Sequence, residues 1–148
     1  MIDEFSQFSS FCEREFNIVP TPAAIELGKI DHFVHRREWS SRTDLAEMLP
    51  TLSAFLHMTE TDDPSILMRF DEGHEGQSLQ VSLSTAVTSE GNEKTRLLRL
   101  ETTVVRPCGP QQDEIESAFA NANLQANAVF MTLTPKEQRD QRFQSQES

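Results

Sequence analysis

The chain has no tyrosine, one tryptophan (Trp39), five glycines and two cysteines. Each shortage narrows what it can do. With so little glycine there is no loop to cradle a phosphate, and no GxGxxG, P-loop, GxSxG or HExxH motif occurs. Cys12 and Cys108 stand far apart and make no CxxC, so reduced thiols are expected, with Cys12 packing as a small apolar residue. No run approaches the roughly 18 apolar residues that cross a bilayer. The opening "MIDEFSQFSSFC" has neither the positive nor the apolar region of a signal peptide, and a cytoplasmic location is the expectation.

Positive charge is also short. Thirteen Lys and Arg face 24 Asp and Glu, a net charge of −11 over 148 residues. Such a surface repels phosphate backbones and anionic lipid, which argues against nucleic-acid and membrane partners. The largest basic cluster is His35-Arg36-Arg37. The acidity suits solubility, or a basic or apolar partner.

Ten phenylalanines supply nearly all the aromatic area. Ile2, Phe5, Phe8, Cys12 and Phe16 recur at three and four, predicting an amphipathic helix over 2–16, with Phe11 off its stripe. "VPTP" ends it. A long strand follows, on which Ile25, Leu27 and Phe33 share one face with Lys29, Asp31 and His35. Glu26, Gly28, Ile30, His32 and Val34 share the other. A short helix "DLAEML" is predicted with Thr43 or Asp44 as its cap, Glu47 completing a capping box in the second case. A second turn opens at Pro50, and "TETDDPS" (59–65) reads as loop.

Residues 66–105 carry a two-residue rhythm in three strands. Leu79, Val81 and Leu83 alternate with Gln80, Ser82 and Ser84; Leu98, Leu100 and Val104 alternate with Arg99, Glu101 and Thr103. Residues 112–133 return to a helical rhythm through Ile115, Phe119, Ala122, Ala126, Val129, Phe130 and Leu133. "TPKE" then opens a last short helix, with Thr134 as its cap, Pro135 at its first position and Glu137 three after the cap. The expected fold is α+β: a mostly antiparallel sheet of about four strands with helices on one face. It forms one domain over 1–143 with a flexible polar tail, 144–148.

Two sets of ionisable residues invite a chemical reading. Lys29, Asp31, His32 and His35 are the first. His32 and His35, three apart on a strand, point to opposite faces and cannot share a metal. Lys29 and Asp31 share a face and form, in the plainer reading, an ion pair; as the alternative, the four could serve a small enzyme or a ligand-binding protein. The second set, Asp71, Glu72, His74 and Glu75, lacks the ligand spacing of a calcium loop and a second nitrogen for zinc, and reads as a solvated hairpin. No metal and no cofactor are expected. The remaining candidates are surface in the plainer reading and contact residues as the alternative: Phe11 on the first helix, Gln80, Ser82, Arg99 and Glu101 on a sheet face that is either wet or covered, and Asn123 and Asn127 on a solvated helix back or at a partner contact.

Several stretches together resemble the C-terminal portion of a sporadically distributed bacterial family of uncharacterised proteins. "GKIDHF" (28–33) is similar to a "YINHI" element, with Asp31 at the position of the family's asparagine, and Trp39 follows. Asp44, Leu45, Leu49 and Pro50 match a "DLxxxLP" turn, and Phe130, Leu133 and Thr134 match the end of the family's last helix. The similarity spans about residues 2–143 and implies fold rather than activity. Members carry extra N-terminal strands, so the resemblance implies an exposed sheet edge or face here.

These readings converge on a non-enzymatic protein–protein interaction module with a protein partner or self-association, as a homodimer or a subunit of a bacterial or phage assembly. An acidic secretion-chaperone-like protein is a further alternative, and it requires an apolar groove for an extended client.

Overall fold

The computed structural model describes residues 2–17, 19–20, 23–73 and 76–143; the tail 144–148 and His74 and Glu75 of the hairpin loop lie outside them. Four antiparallel strands form one sheet in the order β1-β4-β3-β2. They are β1 (Ala24–Val34), β2 (Ile66–Asp71), β3 (Ser78–Glu90) and β4 (Glu93–Pro107). The helices are α1 (Ile2–Phe16), α2 (Arg42–Met48), α3 (Ser53–Leu56), α4 (Gln112–Leu133) and α5 (Lys136–Phe143), with a 3-10 turn at Pro50–Leu52. The fold is α+β.

Alternation decides which face is dry. Leu79, Val81 and Leu83 of β3, Leu98, Leu100 and Val104 of β4, and Phe33 of β1 turn inward, where α2, α3, α4 and α5 cover them. At one end of this face the core is bulky: Trp39, Leu45, Met48, Leu49, Leu52 and Leu56 pack on Phe33, Leu98 and Leu100. At the other end it is thin, with Ala122 and Ala126 against Val104, and Ile25, Leu27 and Leu79 beside them. Alanine's single methyl lets α4 lie close to the strands.

The long strand expected to carry His35 stops at Val34, because residues 35–38 reverse the chain. The amides of Arg37 and Glu38 both donate to the Val34 carbonyl, at 3.1 and 3.0 Å. Arg36 takes a positive φ of 69°. The Glu38 side chain is buried, and its Oε2 accepts from the Val34 amide at 2.6 Å. This turn delivers Trp39 to the core, where its indole N–H donates to the Phe33 carbonyl at 2.9 Å.

Two caps differ from expectation. Ser41, not Thr43 or Asp44, caps α2: its Oγ accepts from the Asp44 amide at 3.2 Å, while the Asp44 carboxylate accepts from the Ser40 amide. The Thr134 hydroxyl turns back to donate to the Phe130 carbonyl at 2.6 Å, so it closes α4 rather than opening α5. α5 is latched across the fold by Arg142, which reaches Asp44 at 2.8 Å, Glu47 at 3.7 Å and the Glu38 carbonyl at 2.7 Å. Phe143 beside it stacks on Phe33, centroids 5.4 Å apart.

The outer face carries Gln80, Ser82 and Ser84 of β3 and Arg99, Glu101 and Thr103 of β4. Ile30 on it is half exposed, and a methyl added at Gly28 would meet nothing within 4 Å. On α1, Phe8, Phe11 and Phe16 are all exposed.

Candidate functional site

β1 places Lys29 and Asp31 on the inner face, opposite Thr102 and Leu100 of β4. Period two puts them side by side there, and α4 supplies what surrounds them. The Lys29 ammonium donates to Asn127 Oδ1 at 3.1 Å, lies 3.9 Å from Asp31 Oδ2 and sits 4.4 Å from the Phe130 ring centroid. An amide oxygen, a carboxylate and a π-face thus surround the ammonium. Burial pushes the Asp31 carboxyl above its ordinary range, against the lowering pull of Lys29 and His32.

The structure brings Lys29 and Asp31 together and keeps His32 away from them. His32 is exposed on the outer face, in register with Arg99. His35 belongs to the turn: its Nε2 donates to the Ser40 carbonyl at 3.0 Å, and its ring stands edge-on to Trp39 at 4.7 Å. Among the described residues, surface cavities of about 470, 430 and 510 Å³ are lined by other residues. Among the described residues no group of three or more His, Cys, Asp and Glu is placed to hold a metal ion.

The contact candidates also separate. Gln80, Ser82, Arg99 and Glu101 are half-buried neighbours on the outer face, Gln80 and Ser82 registering with Thr103 and Glu101, and Arg99 pairs with Glu101 at 3.1 Å. Phe11 is exposed on α1 with Phe16 edge-on at 5.9 Å and the Arg14 guanidinium 5.9 Å over its ring. Asn123 is exposed on α4, whereas Asn127, one turn on, spends its oxygen on Lys29 within the same chain.

One surface feature escaped the sequence reading. The cavity of about 470 Å³ runs beside β2, lined by Phe55, Leu56 and Met58 on one side and by Ile66, Leu67 and Met68 on the other. Met58 is 72% exposed, Leu67 67% and Phe70 50%. The available signal was Leu67, an apolar residue at an outward position between two inward ones.

The 59–65 loop that closes this groove is fixed by two arginines. Arg96 bonds the Asp62 carbonyl and the Asp63 carboxylate, and Arg42 bonds the Thr59 carbonyl with its guanidinium and Asp62 Oδ1 with its amide, the latter at 3.2 Å. Hydrogen bonds from Thr85, at 3.0 Å, and from Arg96 hold the Asp63 carboxyl below the ordinary range. Pro64 is buried behind them. The outer wall is therefore built rather than loose. Compared with protein-family profiles, with curated proteins and with solved structures, the chain matches none of them.

Proposed function

We propose that this chain is a non-enzymatic protein–protein interaction module, acting as a homodimer or as a subunit of a bacterial or phage assembly. Its partner is a protein or a second copy, its place the cytoplasm, and it uses neither nucleic acid nor membrane nor cofactor. The observation that carries this reading is where apolar surface is left uncovered. Phe8, Phe11 and Phe16 on α1, and Phe55, Met58, Leu67 and Phe70 near β2, lie 44% or more open to solvent. Contiguous uncovered apolar surface marks contact sites. The net charge of −11 favours a basic or apolar counterpart.

The catalytic alternative draws no support from the side chains it named. Lys29 and Asp31 face α4, His32 faces solvent, and His35 braces Trp39. The chaperone-like alternative is favoured by one observation, the apolar groove beside β2, which is what an extended client would require.

Size-exclusion chromatography with light scattering on the purified chain tests the proposal. A dimer, a higher oligomer or a stoichiometric co-purifying protein is expected. A strictly monomeric chain with no partner would sink it.

A further inference from the structure

We propose that the free edge of β2, with the groove beside it, accepts an extended, net-basic segment of another protein as an additional strand. This rests on the interaction reading and names the partner's chemistry.

The edge carries no inward-pointing charge. β2 ends the sheet, so one row of its N–H and C=O groups has no strand partner among the described residues. Sheet edges are commonly guarded by charges pointing inward, and β1 has such a guard in Lys29 and Asp31. β2 has none: Ile66 and Met68 point inward, Arg69 and Asp71 outward. Residues from both faces of β2 line the cavity, Ile66 and Met68 from one and Leu67 from the other, so it opens on the strand's edge. A strand laid there would gain main-chain hydrogen bonds from β2 and place alternate side chains against Phe55 and Met58.

Two arguments favour an extended foreign segment over a second copy. The space next to β2 is already walled by α3 and the pinned 59–65 loop. A single strand fits beside such a wall, but a second copy arrives with the same wall of its own. Charge points the same way. Twofold antiparallel pairing of β2 sets the start of one strand, with Glu60, Asp62 and Asp63, beside the end of the other, with Asp71 and Glu72. Asp63, Asp71 and Glu72 are offset by Arg96, Arg69 and Arg106, so the acids left over at this edge are Glu60 and Asp62, and a second copy brings its own net charge of −11 against them. A segment carrying lysine or arginine between apolar residues meets the same surface with attraction.

The test uses the full chain and two acetylated seven-residue peptides, one alternating lysine with valine, the other glutamate with valine, followed by isothermal titration calorimetry. The lysine peptide is expected to bind about tenfold or more tighter than the glutamate peptide. Methylating its alternate backbone amides should abolish binding. The double variant M58K/L67K, altered at two exposed side chains and checked for fold by circular dichroism, should bind at least about tenfold more weakly. Absence of binding by the lysine peptide, equal binding of both peptides, or indifference to amide methylation would each overturn the assignment. So would a wild-type dimer that becomes monomeric in M58K/L67K, which would make a second copy the occupant. A dimer that persists in that variant without peptide binding overturns the β2 edge but leaves the interaction reading standing.

Discussion

The two strands that border the sheet solve the same problem differently. β1 is eleven residues long, lies under α4, and turns a lysine and an aspartate toward the helix that covers it. β2 is six residues long, turns only apolar side chains inward, and leaves Leu67 and Phe70 in solvent. The charges on β1 are held by Asn127 and the Phe130 ring, so they make the edge unattractive to a passing strand without being left unsatisfied. An edge can therefore be closed by what points inward as well as by what lies alongside. The contrast also explains why the residues that look most chemical are not the ones that look outward.

Matched truncations sharpen this contrast most strongly. Phe33 is buried between Phe130 and Phe143, centroids 6.5 and 5.4 Å away. Phe33→Ala should cost about 3–5 kcal/mol in urea denaturation, the range for a buried aromatic. Phe70→Ala, at a half-exposed ring on the other border, should cost under about 1 kcal/mol. Comparable losses would erase the difference between the two edges.

Next comes Lys29→Met, which leaves the Asn127 oxygen and the Asp31 carboxylate without their cation. A loss of about 1–3 kcal/mol is expected at neutral pH. Part of it should return on acidification, starting above the ordinary aspartate value of about 3.9 because burial raises the Asp31 pKa.

Asp31→Asn reverses the sign. Because burial raises the folded pKa of Asp31, its protonated form is the one the fold favours. That stabilisation is present below the unfolded value of about 3.9 and is lost as pH rises through the folded pKa. The asparagine variant should thus melt no lower than wild type at neutral pH, and its relative advantage should vanish on acidification. A clear drop in melting temperature at pH 7 would show that the pairing with Lys29 outweighs burial.

The smallest effect belongs to the wall of the groove. Asp63 has a lowered folded pKa, so its contribution is present above about 3.9 and disappears as pH falls through the folded value. Asp63→Asn should speed amide exchange in 59–65 at neutral pH with little change in global stability, and the two proteins should converge in acid. Unchanged exchange would mean that the Arg96 bond to the Asp62 carbonyl suffices.

Local rhythm made much of this fold readable. Alternation in 66–105 reflects one wet and one dry face, and the stripe through 112–133 reflects a helix laid on that dry face; both elements occur where the pattern places them. The adjacency of Lys29 and Asp31 was readable for the same reason. What failed to show were relations set by tertiary packing. The end of β1 at Val34 depends on a buried Glu38 carboxylate, and the choice of Ser41 as cap depends on Asp44 being engaged by Ser40 and Arg142. Asn127 meets Lys29 across 98 positions, and the groove exists only because α3 stands next to a strand that follows it by ten residues. No periodicity encodes such meetings.

The Arg142 latch sets a schedule for synthesis. Phe33 and the acidic side of α2 emerge from the ribosome early, yet the ring and the guanidinium that cover them belong to residues 142 and 143. Until residues 142 and 143 emerge, the nascent chain exposes a half-built hydrophobic surface, the condition in which incomplete domains aggregate or recruit chaperones. A stall or truncation before α5 would therefore release an adhesive fragment.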